Sequence, residues 1–232
     1  MQTKMLIFVV IPSYNEGKVI RHTILDLLGR QYNVVVIDDC STDDTLSFIQ
    51  DLPIHYIRHP VNLGQGAALQ TGMAYAILQN ADFVIHFDAD GQHDFEEIPK
   101  MLQPLLDNEC DIVLGSRFLK KEDKESIPSS RRKLLRFATF VNAAFSGLLL
   151  TDAHNGFRAL SRKAFHSIEF TENRMAHATE ILMLIKKNKL RYKEIPVHVS
   201  YTEYSKQKGQ SSWGAFKIVL DLIINKIFNY GH

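Results

Sequence analysis

Two carboxylates one residue apart, in Asp88-Ala89-Asp90-Gly91-Gln92-His93, are the strongest chemical feature of this chain. At the end of a strand such a pair can turn toward one hard cation. Mg²⁺ or Mn²⁺ takes oxygen ligands and commonly keeps waters and substrate phosphates in its shell. Gln92 and His93 add ligand-capable groups. An isolated Asp-x-Asp triplet is more often a solvated acidic turn, but the run Phe83-Val84-Ile85-His86-Phe87 aims this one at a ligand rim. Asp38-Asp39 is a second cluster. Neighbouring carboxylates repel, and a base N–H of a nucleotide or the start of a helix would relieve them, one aspartate for each job. A third feature is the loop Asn62-Leu63-Gly64-Gln65-Gly66-Ala67-Ala68, where bare amides at a helix start could approach a sugar or phosphate. Leu69 stands where a dinucleotide fingerprint has its third glycine, no Gly-Lys-Ser/Thr follows, and a plain helix-start turn fits equally well.

The elements that must position these groups alternate. Leu6–Ile11 is a continuous apolar run closed by Pro12, as a strand buried on both faces requires. Lys18–Gly29 carries Val19, Ile20, Ile24, Leu27 and Leu28 at helical spacing. Val34–Ile37 reads as a second buried strand, with Ser41 and Asp44 as a capping box for the next helix. Further strands are expected at Ile54–Arg58, Phe83–Phe87 and Ile112–Leu114, and a helix over Ala67–Leu78. The second half is less regular, with helices near Leu134–Leu150 and Thr179–Lys187 and a strand at Ile195–Tyr201. This order implies an α/β fold, with a Rossmann-like, mostly parallel sheet flanked by helices. Ligands bind such sheets beyond the carboxyl ends of the strands. Tyr14-Asn15-Glu16, Asp38-Asp39 and Asp88-Ala89-Asp90 all fall on that rim.

Composition narrows the function. The 232 residues are 45% hydrophobic and 23% charged, enough for a substantial core and against wholesale disorder. Lys plus Arg number 27 against 26 Asp plus Glu, so no basic field draws the chain onto nucleic acid. Cys40 and Cys110 form neither a disulfide framework nor a zinc set, which suits a reduced, cytoplasmic compartment. The apolar N-terminal run is short and lacks an Ala-x-Ala-like cleavage site. No uninterrupted apolar stretch reaches the roughly 18–20 residues of a spanning helix. From Arg117 to Arg136 eight Lys/Arg face three Asp/Glu in a polar, locally basic segment.

The segments IPSYNE, VIDDCSTDDT, NLGQGAALQTG, HFDADGQHD, GSRF and TDAHNGFRAL occur in this order. In that combination the sequence resembles family 2 glycosyltransferases with the GT-A fold, in particular the polyprenyl-phosphate sugar transferases typified by dolichyl-phosphate mannose synthase. The similarity runs from about Val9 to about Trp213. It implies a nucleotide-diphosphate sugar donor, with UDP preferred over GDP. Pro12, Tyr14 and Glu16 would line the nucleoside pocket, Asp39 would read the base, and Gly64, Gly66 and Asp88 would complete the donor site. Asp88, Asp90 and Gln92 would hold the metal that bridges the two phosphates. Arg117 matches an arginine near the transferred group or acceptor phosphate. Asp152 matches a position that serves as general base in relatives with hydroxyl acceptors, although Asn155 replaces the usual Ser/Thr beside it. Glu180 is a second candidate carboxylate, or a polar position on its helix.

For a lipid monophosphate acceptor the resemblance implies inversion at the anomeric carbon. Such an acceptor is already anionic, so it needs cationic clamps more than a base. Arg117, Arg131, Arg132 and Lys206 suit that need. No serine stands four residues after Arg131 or Arg132, where the family usually spaces one. The expected organisation is a catalytic domain over residues 1–213 and an amphipathic helix over 214–232. In the latter, Phe216, Val219, Leu220, Ile223, Ile224, Ile227 and Phe228 oppose Lys217, Asp221, Asn225 and Asn229. That helix would serve a membrane surface, a small membrane protein or self-association, placing the enzyme peripherally at the inner face of the cell membrane for envelope glycan assembly. A saccharide-hydroxyl acceptor and a noncatalytic nucleotide-sugar-binding subunit are the alternatives.

Overall fold

The computed structural model describes residues 5–17, 19–119, 139, 143 and 147–200. Within them the chain runs β1 (Ile7–Ser13), α1 (Ile20–Gly29), β2 (Asn33–Asp38), α2 (Thr45–Ile49), β3 (His55–Arg58), α3 (Gln65–Leu78) and β4 (Phe83–His86). A 3-10 turn at Phe95–Glu97 leads into α4 (Ile98–Leu106) and β5 (Ile112–Ser116). Further along the chain come β6 (Arg158–Ser161), α5 (Arg162–Ser167), α6 (His177–Lys187) and β7 (Tyr192–Pro196). The strands form one seven-stranded sheet in the order β3-β2-β1-β4-β6-β5-β7. β6 runs antiparallel to both neighbours, and every other pairing is parallel.

The unbroken apolar runs follow from this layering. Val9 and Ile11 of β1 pack with Ile24 and Leu27 of α1 and Met101 and Leu105 of α4. Val10, between them in sequence, packs on the other face with Leu69 and Met73 of α3 and Ile181 of α6. A period of two with both faces covered leaves no place for a polar residue. Helix α3 lies so close to β1 that a side chain on Gly72 would come within 2.2 Å of Val10 Cγ1.

Two expectations are corrected and one helix is added. The strand predicted at Ile195–Tyr201 is Tyr192–Pro196, with Val199 making only an isolated bridge to His93. As an edge strand it exposes Tyr192 and Lys193, so its polar start hides it from an apolar-run reading. Helix α4 was not expected at all, because Pro99 and Pro104 lie within it; a proline in the first turn loses no helical hydrogen bond. The helix predicted to reach Leu150 stops earlier: Gly147, at φ +69° with its N–H on the Ala143 carbonyl at 2.8 Å, ends the turn.

At the edge away from the strand carboxyl ends, Asp111 ties together the starts of β5, α5 and β7. It accepts from Arg191 N at 2.8 Å, Arg191 Nη2 at 3.1 Å and Lys163 Nζ at 3.0 Å. Burial alone would raise its carboxyl, but the Arg191 and Lys163 donors outweigh this and hold it down at about 2. A carboxylate whose folded pKa is depressed stabilises the fold above its unfolded value of about 3.9, and that stabilisation fades as pH falls toward the folded value. Asp111→Asn should therefore cost about 2 kcal/mol in urea denaturation at neutral pH. The gap to the unaltered chain should narrow steadily from pH 4 to pH 2.5.

Candidate active site

The parallel strands β1 to β5 deliver their carboxyl ends to one rim. Because β6 is antiparallel, its first residue, Arg158, reaches the same rim, opposite His86 of β4 and Leu114 of β5. The loop before it, Thr151–Phe157, is thereby brought beside the Asp88–Asp90 turn.

The loops after β1 and β2 form one body. Asn15, at φ +56°, accepts from Thr42 N at 2.8 Å and donates its own N–H to Ser41 Oγ at 2.9 Å. Glu16 N donates to Thr45 Oγ1 at 3.2 Å. Ser41 is thus a loop tie, and the expected Ser41–Asp44 capping box is not formed; Asp43 instead accepts from Thr45 N at 3.0 Å at the start of α2. Neither member of the Asp38-Asp39 pair caps a helix. Asp38 accepts from Ser41 N at 2.8 Å and Tyr56 Oη at 2.5 Å. Asp39 accepts from His59 Nδ1 at 2.8 Å, Leu63 N at 2.9 Å and Gly64 N at 2.7 Å. The repulsion within the pair is offset by protein donors, with Asp39 anchoring the glycine loop. Pro12 lies beyond the β4 ladder, which ends at Val10, so its missing N–H removes no bond there. Tyr14 is exposed.

The glycine loop has a different reason for its glycines than open amides. A side chain at Gly66 would come within 2.1 Å of the Glu172 carbonyl, and one at Gly64, which has φ +110°, within 2.5 Å of the Asn173 carbonyl. The segment Thr171–Arg174 is strapped across the start of α3, with Ala67 N donating to Asn173 O at 3.1 Å. Since Gly64 N is also taken by Asp39, the expectation of bare amides at this helix start is corrected at Gly64 and Ala67. Glu180 holds the strap, accepting from Thr171 N at 2.9 Å, Thr171 Oγ1 at 2.5 Å and Glu172 N at 3.0 Å. Its carboxylate is buried and committed to positioning this backbone.

Asp88 is gripped from several sides. Gln65 Nε2 donates to one oxygen at 3.0 Å and His93 Nε2 to the other at 3.1 Å. Gly156 backs it, where any Cβ would come within 2.5 Å of Asp88 Oδ2. The His93 ring is held between Phe87 and Phe157, with centroids 5.6 and 5.2 Å away. Burial alone would raise Asp88, but the His93 hydrogen bond and the Arg158 charge outweigh it and keep the carboxyl below its usual range. Asp90 goes the other way: burial and the charge of Asp88 push it up to about 6. Gly91, at φ +71°, reverses the chain so that Gln92 N closes onto Asp90 Oδ1 at 3.1 Å.

Two neighbouring carboxylates, one of them raised by burial and by its neighbour's charge, fit a hard divalent cation, which would favour the ionised form of Asp90. No group of three His, Cys, Asp or Glu side chains among the described residues could enclose a metal. A cation on Asp88 and Asp90 would therefore keep positions for water and phosphate oxygens, as Mg²⁺ commonly does.

Arg117 and Asp152 form a bidentate pair, Nε to Oδ2 at 2.6 Å and Nη2 to Oδ1 at 2.7 Å, with Arg117 N adding a third bond at 3.1 Å. Burial opposes ionisation of Asp152, but Arg117 outweighs it and holds the carboxyl low. Asp152 is thus engaged as the counter-ion of Arg117, which differs from the open carboxylate a general base needs. Glu194 of β7 fixes this loop by accepting from Thr151 N at 2.9 Å and Asp152 N at 3.1 Å. Asn155, in place of the usual Ser/Thr, closes its turn by accepting from Phe157 N at 2.9 Å. Arg131, Arg132, Lys206 and the segment 214–232 lie outside the described residues.

Among the described residues, the buried side-chain N and O atoms without partners are Ser13 Oγ, His86 Nδ1 and Nε2, His93 Nδ1, Asn155 Nδ2 and Arg158 Nη1. All sit at this rim, and buried polar atoms are normally satisfied elsewhere in proteins. Gln65, Arg158, His177 and Glu194 join the site without having been singled out from sequence. Gln65 and Arg158 were inside quoted motifs, whereas His177 and Glu194 carried no signal of spacing.

Residues 8–169 match the family described as Glycosyl transferase family 2. An uncharacterized protein of Methanocaldococcus jannaschii is 36% identical over 225 residues, covering 96% of this chain and 93% of that protein. The UDP-N-acetylglucosamine–dolichyl-phosphate N-acetylglucosaminyltransferase of Methanococcus voltae is 31% identical, covering 96% of each chain. Among solved structures, glucosyl-3-phosphoglycerate synthase from Mycobacterium tuberculosis, crystallised with Mn²⁺, UDP and phosphoglyceric acid, superposes with a TM-score of 0.68 at 19% identity, covering 94% of this chain and 78% of that one. The sheet order and the family match agree, and the chain belongs to glycosyltransferase family 2, as a transferase of the GT-A fold.

Proposed function

We propose that this enzyme is a metal-dependent, inverting transferase that moves a hexose or N-acetylhexosamine from a nucleotide-diphosphate sugar to a polyprenyl phosphate. The observation that carries the reading is the Asp88–Asp90 pair in one half-buried turn at the strand rim, where burial and the charge of Asp88 push Asp90 up to about 6. A Mg²⁺ or Mn²⁺ ion held by these two side chains, with Gln92 beside them, would place positive charge against the leaving diphosphate. Pro12, Tyr14 and Glu16 border the nucleoside. Asp39 keeps the role of base reader with the acceptor direction its three protein donors leave over. UDP is preferred over GDP, in keeping with the name of the Methanococcus voltae relative.

An acceptor phosphate oxygen attacks the anomeric carbon as the bond from that carbon to the diphosphate breaks, and the bonding pair leaves with the nucleoside diphosphate. No proton has to be removed from an ionised phosphate. That matches an Asp152 whose lone pairs are committed to Arg117, and Arg117 is the described cation best placed for the acceptor. Arg131, Arg132 and Lys206 are proposed as its companions. No described helix is long and apolar enough to cross a membrane. The apolar stripe from Phe216 to Phe228 is proposed to bring the enzyme to the lipid surface, directly or through a small membrane protein or a second copy.

Incubation with polyprenyl phosphate and a panel of UDP- and GDP-sugars should give a lipid-linked sugar that EDTA abolishes and Mn²⁺ restores. Asp90→Ala should lower turnover by about 10²–10³-fold or more; near-normal activity would contradict the metal assignment. Asp152→Asn should cost about 3–5 kcal/mol of stability, because it strands a buried guanidinium. Any activity left in that variant should keep the pH profile of the unaltered enzyme; loss of an acidic limb would restore Asp152 as a base and favour a hydroxyl acceptor. Vesicle flotation should be lost when the chain ends at Trp213, and unchanged flotation would count against the terminal stripe.

A further inference from the structure

His177 opens α6 and packs against the start of α3 at Gly66. Its ring is fixed on several sides. Nδ1 donates to the Arg174 carbonyl at 2.8 Å, the ring meets Phe170 edge-on at 5.7 Å, and its Cβ lies where Gly66 leaves room, 2.9 Å from where a Cβ on that glycine would stand. The residue is 3% exposed. With the proton on Nδ1, Nε2 presents a lone pair. The charges acting on the ring are Arg158 and Asp88, so it belongs to the electrostatic field of the site. Burial pushes His177 down to about 4, which keeps it an uncharged acceptor at neutral pH.

We propose that His177 is a specificity-determining residue whose Nε2 accepts a hydrogen bond from a hydroxyl or amide N–H of the transferred sugar. This rests on the nucleotide-sugar reading of the site. A metal is the other usual partner for an imidazole lone pair. His177 forms no metal-holding group with Asp88 and Asp90, however, and the Arg158 guanidinium repels a cation there. The sugar carries the donors that remain. The Thr171–Arg174 strap presents the residue, and Glu180 holds that strap, so a carboxylate distant from the reaction acts on sugar selection through backbone position.

The test is calorimetric titration of the full chain with Mn²⁺ present, comparing UDP and GDP alone with UDP-N-acetylglucosamine, UDP-glucose and GDP-mannose. His177→Phe should weaken the preferred nucleotide sugar roughly threefold to tenfold while leaving the bare nucleotide within about twofold. His177→Gln, which keeps an acceptor oxygen, should recover most of the loss. Equal weakening of nucleotide and nucleotide sugar, or no weakening of either, overturns the proposal. If the phenylalanine variant does not fold, donor analogues each lacking one sugar hydroxyl or the acetamido group are titrated into the unaltered chain and into His177→Gln. One analogue should bind worse than its parent to the unaltered chain and lose that difference, in part or whole, in the variant; identical analogue profiles overturn the proposal. Failure of the unaltered chain to bind any nucleotide or nucleotide sugar would instead bring down the donor reading, and this inference with it.

Discussion

The concentration of negative charge at the tip of β4 is the constraint around which the rim is built. Asp88 and Asp90 stand one residue apart in a half-buried turn, where like charges raise each other's cost of ionisation. The protein treats the two unequally. Asp88 is pinned by Gln65, His93 and the backbone of Gly156, and Arg158 supplies a buried positive charge behind it. Asp90 receives one backbone N–H and is left to carry the repulsion. One carboxylate is thereby kept charged and immobile, and the other is the responsive member. The proposed donor chemistry depends on that asymmetry, because a pair equally satisfied by protein donors would have little affinity left for a cation.

Reaching that arrangement depends on a feature of topology with little sequence signal. The parallel strands bring β1, β2 and β4 to one rim, but Arg158, Gly156 and Asp152 arrive only because β6 runs against its neighbours. β6 has four residues, and its pairing with β4 and β5 is set by tertiary contact more than by any periodicity of its own. Much of the first half of the chain was legible because β1, β2 and β4 lie inside the sheet, leaving apolar runs that lead into carboxylates. Other elements were harder to read: β7 is an edge strand with polar residues facing outward, and α4 contains two prolines that read as breaks. The carboxylate motifs were visible as residue types at a spacing. Their partners were visible only in part, since Gln65 comes from the start of α3, and Glu194 meets Thr151 across 43 positions of sequence.

At the glycine loop the chain's own backbone accounts for the glycines. Gly64 and Gly66 look as though they clear space for a ligand, whereas the structure fills that space with the carbonyls of Glu172 and Asn173. The glycines permit one backbone to lie on another. Through that contact the strap, its Glu180 anchor and His177 are placed relative to α3, and Gln65, the next residue after Gly64, is placed on Asp88. The loop therefore acts on the candidate donor site through the elements it lets approach.

Arg117 and Asp152 bring the proposed acceptor side under the same logic. A buried guanidinium without a counter-ion would be costly, and the bidentate carboxylate removes most of that cost. The same bond removes the basicity a hydroxyl nucleophile would require, since a carboxylate held low by an arginine is a poor proton acceptor at neutral pH. A phosphate nucleophile makes no such demand, and an arginine oriented by a carboxylate holds its positive charge in a fixed place for an anion to meet. The pair that argues against a general base is in this way an argument for an acceptor that arrives ionised.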